Sequence, residues 1–198
     1  AVFSEFTSYY SDILHPQRTQ QTGCPLLTER PWDESLMMEV RDVTQKFFQL
    51  PHEEKLKIKM TPQSDYRGYQ RVGENVTKGK PNMHEAIHCY MPIEPGRYGN
   101  HAKPMEESNL WPDYPSNFDT LLENYISLLQ NLSRKIMRGI ALALGAQLDA
   151  FEGGTTGDAF WVLGLIGYPF SAGIPPRIDI GCGAHTDYGL FDTGESGR

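Results

Sequence analysis

The sequence predicts an α+β fold, and two observations carry this. Apolar residues recur at helical spacing in two stretches, near residues 32–50 and 116–145. After residue 159 the pattern changes to short apolar runs broken by Gly and Pro, which is how strands and turns read. The chain has 198 residues, 39% hydrophobic and 22% charged, too apolar for disorder and too mixed for a membrane protein. Lys and Arg total 18 against 25 Asp and Glu, a net charge of −7 that argues against binding a nucleic-acid backbone.

The elements follow in order. Residues 1–31 show no clean period and carry Pro16, Gly23, Pro25 and Pro31; they read as an arm or loop, and they lack a secretory signal pattern. Pro31, Asp33 and Glu34 suit a helix start. Leu36, Val40, Val43 and Phe47 then define one helical face that stops near Leu50-Pro51. Residues 61–83 and 92–115 are rich in Gly, Pro and polar groups and read as long connections, with Trp111 packed down as an anchor. Ser116 opens the longest helix, with Ser116 and Asp119 at capping-box spacing. Its apolar face runs from Phe118 through Leu122, Tyr125, Leu129, Leu132 and Ile136 to Ile140, and Gly145 is the expected C′ stop. Phe160 to Ile166 reads as a buried strand, and Ile178 to Ile180 and Cys182 to Leu190 as further strand.

Three cysteines, Cys24, Cys89 and Cys182, form neither a disulfide framework nor a CxxC metal pair, so the chain reads as reduced and cytoplasmic. No run of 18 apolar residues occurs, so no membrane partner is expected. The run Lys55, Lys57, Lys59 reads as a solvated face. Tyr66, Tyr69, Tyr98, Trp111 and Tyr114 could form a stacking platform, but read better as packing residues. Nucleotide-binding and nucleophile-elbow motifs are absent.

Two patterns carry metal chemistry. His84-Glu85-Ala86-Ile87-His88 fits HExxH, in which a helix places two histidines on one face around zinc and the Glu acts as base. Asn82 could cap such a helix, and Glu106 or Glu107 could supply a third ligand. Alternatively the stretch is a strand, with His84, Ala86, His88 and Tyr90 on one face and Glu85, Ile87, Cys89 and Met91 on the other. The second pattern is His185-Thr186-Asp187. In a strand the imidazole and carboxylate would share a side, as the two-histidine, one-carboxylate set of non-haem Fe(II) requires.

Several segments together resemble one family, the 2-oxoglutarate- and Fe(II)-dependent dioxygenases of the isopenicillin N synthase-like group. They are Phe47 to Lys55, Tyr66-Arg67-Gly68-Tyr69, Trp111-Pro112 with Pro115 and Phe118, the long helix ending Leu142-Ala143-Leu144-Gly145, Ile166-Gly167-Tyr168-Pro169, and Gly183 to Leu190. Lys78-Gly79-Lys80-Pro81 and His84 to Tyr90 are similar to plant members of the group, in which the latter stretch is a strand.

The resemblance implies helices in the N-terminal region, 32–158, and the opening strands of an incomplete double-stranded β-helix, a jelly roll, over 159–190. A divergent arm (1–31) and tail (191–198) flank them. It implies oxidation of a small-molecule substrate with Fe(II) and 2-oxoglutarate, and ascorbate as a supporting reductant. His185 and Asp187 match the first two iron ligands, and Tyr168 matches a tyrosine that reaches the 2-oxoglutarate carboxylate in some members. Gly164 stands where many members carry an arginine. The family's second histidine and its Arg-x-Ser pair have no match, because the eleven residues after Asp187 contain no histidine. The expectation is therefore a truncated or end-altered member with little activity, or a catalytically silent chain that binds partners. A zinc metallopeptidase using His84, Glu85 and His88 is the distant alternative.

Overall fold

In a computed structural model, residues 34–97, 99, 106–153, 160–169 and 181–183 are described. The chain divides into two compact units, residues 1–37 with 127–159 and residues 38–126 with 160–198.

Helix α1 spans Glu34–Phe48 and a short helix α2 spans His52–Lys55. The buried stripe of α1 is Met37, Val40, Val43 and Phe47. Met37 rather than Leu36 takes its first position, and Leu36 is half-buried. In the second unit Phe47 is fully buried. Its ring lies 5.9 Å from Tyr69 and 5.9 Å from Phe118, and Trp111 meets Phe118 at 6.2 Å. Burying each such ring contributes roughly 1.5–3 kcal/mol, so this cluster anchors the unit and confirms Trp111 as packing.

Lys55 corrects the expectation of a solvated basic face. It is buried, its ammonium 2.7 Å from Glu85, while Lys57 is exposed and paired with Glu54. The run does not alternate as a strand would, because residue 55 ends a helix and Leu56–Ile58 continue it as a tight turn, so residue 55 faces inward and residue 57 outward. Tyr66 and Tyr114 are exposed, Tyr69 is 2% exposed and Tyr98 lies outside the described residues, so these aromatics do not share one surface.

Strands β1 (Gly68–Gln70), β4 (Glu85–Tyr90) and β5 (Val162–Gly167) form an antiparallel sheet in the order β1-β4-β5. Between them β2 (Val76–Thr77) and β3 (Lys80–Pro81) make a hairpin. Its two-residue loop, Lys78-Gly79, has φ of +50° and +78°, the left-handed pair that a tight hairpin of this twist needs. Beyond the reach of β1, Asn109 takes the place of a strand neighbour: its side-chain amide bonds both the N–H and the C=O of Tyr90 at 2.9 Å.

Gly68 shows why Tyr66-Arg67-Gly68-Tyr69 needs its glycine. Its φ is +106°, and a Cβ there would stand 2.3 Å from the Ile58 carbonyl oxygen. The glycine lets β1 pass against the turn at Leu56–Ile58, where Met60 N–H donates to the Tyr69 carbonyl at 2.8 Å.

Helix α3 spans Phe118–Ala143. It starts two residues after Ser116, and Leu121 N–H donates to the Asn117 carbonyl. Asp119 accepts the N–H of Thr120 at 2.7 Å, so the expected Ser116–Asp119 capping box does not form. In the second unit Phe118, Leu121, Leu122, Tyr125 and Ile126 are buried. In the first unit the expected face is only partly covered: Ile136 and Ala141 are buried, Leu129, Leu132 and Ile140 half-buried. The stop is as expected. Gly145 has φ +71°, its N–H donates to Leu142, and Ala146 N–H donates to Ala141 at 2.9 Å, the paired bonds of a Schellman end. Arg138 and Glu152 pair on the surface of this unit.

No helix among the described residues is long and apolar enough to cross a membrane. The strands expected at Ile178 to Ile180 and Ala184 to Leu190 lie outside the described residues.

Candidate functional site

The sheet has two unlike faces, fixed by strand alternation and by register. Tyr69 pairs with Ile87 and Ile87 with Leu165, and all three are buried on the face toward α1. Glu85 and Cys89 belong to the same face. Burial pushes the Cys89 thiol up to about 12, so it is a packing residue and not a nucleophile. The other face carries Gly68, His88 and Gly164 in one row, and Gln70, Ala86 and Ile166 in the next. On β5 this second face is open: Val162, Ile166 and, just beyond the strand, Tyr168 are exposed.

The strand also decides the HExxH pattern. Residues 85–90 are extended, so His84 and His88 stand about 13 Å apart at 3.3 Å per residue. That corrects the zinc alternative: no helix brings these imidazoles onto one ion. They take separate work. His88 Nε2 lies 3.2 Å from Gln70 Oε1. The amide oxygen only accepts, so Nε2 carries the hydrogen. Burial, with a smaller contribution from His84, holds the His88 pKa below its usual value, which favours the neutral ring. Its Nδ1 is then an acceptor. Across the strand a Cβ on Gly164 would meet nothing within 4 Å, so the space where many family members are expected to place an arginine is open here.

At the end of β5, Tyr168 meets the His84 ring edge-on at 5.8 Å. His84 Nδ1 lies 2.8 Å from the carbonyl oxygen of Gly181, and Asn82 Oδ1 accepts the N–H of Gly183 at 3.0 Å. The residues leading into His185-Thr186-Asp187 are thus held beside the open face. His185 and Asp187 themselves lie outside the described residues. Their chemistry, one imidazole nitrogen and one carboxylate oxygen, suits non-haem Fe(II). Among the described residues no group of three His, Cys, Asp or Glu is placed to hold a metal.

A cleft of about 600 Å³ opens near Lys55, Tyr69 and Glu85, lined also by His52, Arg71, Glu74 and Pro169. Its charges are already matched, Lys55 with Glu85 and Arg71 with Glu74, so it offers a ligand little unbalanced charge.

Sequence reasoning missed Gln70 and the roles of Asn82 and Lys55. Asn82 lies between the β2–β3 hairpin and β4, a position that does not report its bond to Gly183.

The fold is that of the 2OG-Fe(II) oxygenases. A solved oxygenase of that family from Caulobacter crescentus superposes with a TM-score of 0.60 at 23% identity, over 75% of this chain and 47% of that one, a likeness of fold. Residues 17–114 match the family model described as non-haem dioxygenase in morphine synthesis N-terminal. Over 160 residues the chain is 79% identical to a homoarginine-6-hydroxylase of Oryza sativa subsp. japonica, covering 80% of this chain and 49% of the relative. A homoarginine-6-hydroxylase of Glycine max is 58% identical over 162 residues, covering 80% and 49%. The chain belongs to the 2-oxoglutarate- and Fe(II)-dependent dioxygenases, and it spans about half the length of the curated relatives it matches.

Proposed function

We propose that this chain supplies the N-terminal region and first core strands of a dioxygenase that hydroxylates a small basic amino acid of the homoarginine class. The observation that carries the reading is the 79% identity to the rice enzyme over 160 residues. In this reading residues 32–158 form the helical region and 159–190 the opening of the core, flanked by the arm 1–31 and the tail 191–198. His185 and Asp187 hold Fe(II), and Tyr168 reaches a carboxylate of 2-oxoglutarate. Bound Fe(II) with 2-oxoglutarate supplies dioxygen activation, with ascorbate keeping the metal reduced. The protein's part is to orient the substrate and exclude side reactions. Neutral His88 contributes to that: its Nδ1 accepts from a substrate N–H, as an ammonium or guanidinium provides, in the space that Gly164 leaves open.

His185 and Asp187 fill two of the metal's coordination positions, and Fe(II) held by these two alone is bound weakly. The open β5 face, with Phe160, Val162 and Ile166 exposed, favours a second reading in which the chain is catalytically silent and binds a partner. The experiment is succinate release from 2-oxoglutarate by the purified chain with Fe(II), ascorbate and homoarginine, compared with His185→Ala. A small activity abolished by His185→Ala is expected. Robust turnover would show that a third ligand comes from elsewhere. Turnover that is indifferent to His185 would end the metal assignment.

A further inference from the structure

We propose that Asn82 and His84 are positioning residues that pin Gly181–Gly183, and through it the metal-binding residues His185 and Asp187. The proposal rests on the reading of those two residues as Fe(II) ligands.

Asn82 is 2% exposed and is held at every polar group. Its backbone N–H donates to the Asn75 carbonyl at 2.7 Å, and its carbonyl accepts from Gly73 at 3.0 Å. Its side-chain Nδ2 donates to Thr77 Oγ1 at 2.9 Å. Three bonds thus fix the amide within the β2–β3 hairpin region. The fourth, from Gly183 N–H to Oδ1 at 3.0 Å, reaches 101 residues along the chain. A buried amide locked by local bonds is a rigid acceptor, and that rigidity passes to whatever donates to it.

His84 makes the matching contact. It is 3% exposed, and its Nδ1 lies 2.8 Å from the Gly181 carbonyl oxygen. That oxygen only accepts, so Nδ1 carries the hydrogen. Gly181 and Cys182 form a bend, and two side chains hold it, one on the Gly181 carbonyl and one on the Gly183 N–H.

The glycines fit the same picture. A Cβ on Gly183 would lie 2.8 Å from Thr77 Cβ, and one on Gly181 would lie 2.9 Å from the Tyr168 ring. Both positions approach their neighbours more closely than a side chain allows. Cys182, between them, is exposed. Gly183 is two residues from His185 and four from Asp187 in the chain. Outer groups that fix a metal ligand typically change metal affinity by about ten- to a hundredfold.

The test uses the full 198-residue chain. Co(II), with its visible absorption, is titrated into wild type, His185→Ala, Asn82→Ala, His84→Ala and His84→Asn. Hydrogen exchange at the Gly183 amide is followed without metal in wild type, Asn82→Ala and Asn82→Asp. Asn82→Ala and His84→Ala are expected to lower Co(II) affinity by about tenfold. His84→Asn, whose amide nitrogen can stand near the place of Nδ1, restores it. The Gly183 amide loses protection in Asn82→Ala and keeps it in Asn82→Asp, which retains the acceptor. Should an alanine variant fail to fold, Gly183→Ala displaces the segment while sparing both side chains, and is expected to weaken Co(II) to the same degree. Wild-type affinity in folded Asn82→Ala, His84→Ala or Gly183→Ala, with binding still lost in His185→Ala, would overturn this role alone. A wild-type chain that fails to bind Co(II), or binds it equally without His185, would overturn the metal reading and this role with it.

Discussion

The ammonium of Lys55 lies 2.7 Å from a carboxylate oxygen of Glu85, and the Tyr69 hydroxyl donates to that same oxygen at 2.6 Å. Lys55 also donates to the Phe48 carbonyl at 3.1 Å and sits 5.4 Å from the centroid of the Tyr69 ring. One short helix and two strands are thereby fixed to a single buried charge pair. Burial, and after it the bond to Glu85, raise the Tyr69 pKa, so the phenol stays a donor. Removing one partner leaves the other charge buried and unmatched, which typically costs about 3–5 kcal/mol. Lys55→Met is expected to lower unfolding free energy by that order in urea titrations. Lys55→Met with Glu85→Leu should recover part of the loss. A single variant as stable as wild type would show that the pair is solvated.

His88 predicts a pH dependence. Its folded pKa is depressed, by burial first and by His84 second. The unfolded chain therefore binds a proton that the folded chain refuses, in the window from the ordinary value near 6.5 down to the folded pKa. The stability contribution is fully present above about pH 6.5 and is lost as pH falls through that window. His88→Gln should flatten this part of the stability profile in denaturant titrations taken at successive pH values. An unchanged slope would assign the dependence to another group.

Two glycines separate backbone needs of different size. Gly145→Ala asks a side chain to adopt φ +71° with open space around it, so about 1 kcal/mol is expected. Gly68→Ala asks the same at φ +106° and also forces a Cβ onto the Ile58 carbonyl, so the cost should exceed roughly 3 kcal/mol. Thermal or urea unfolding of the two variants side by side checks the order, and equal losses would contradict the close approach at Gly68.

What the sequence showed depended on how far apart the cooperating residues are. The Gly145 stop and a strand within Phe160 to Ile166 were legible because their signals are local, but the strand is not the buried one expected, since of its side chains only Leu165 is buried. The long helix was legible too, although Asp119 turned to Thr120 instead of to Ser116. HExxH misled in the other direction, since a five-residue pattern does not fix its own secondary structure. Pairing with β1 and β5 decided it. Lys55 was misread because its partner is thirty residues away and no periodicity reports a buried ion pair. Asn82 stayed hidden for the same reason, with its telling bond on Gly183. The local His-x-Asp pattern singled out His185 and Asp187, and the family resemblance matched them to iron ligands and alone marked Tyr168.

The open face of β5 yields the last prediction. Among the described residues β5 pairs only with β4. Phe160, Val162 and Ile166 are 48%, 41% and 46% exposed on or beside it. A strand with a free edge and exposed branched apolar side chains can pair with another copy through both its backbone and its surface. Self-association of the purified chain should therefore rise with concentration. Because Val162 and Ile166 lie outside the Phe47 core, replacing them should not disturb the packing that holds the unit together. Val162→Thr with Ile166→Lys keeps residues compatible with a strand while adding a charge that resists edge pairing. Light scattering should fall and soluble yield rise, with far-UV circular dichroism unchanged. Undiminished aggregation in that variant would place the sticky surface elsewhere on the chain.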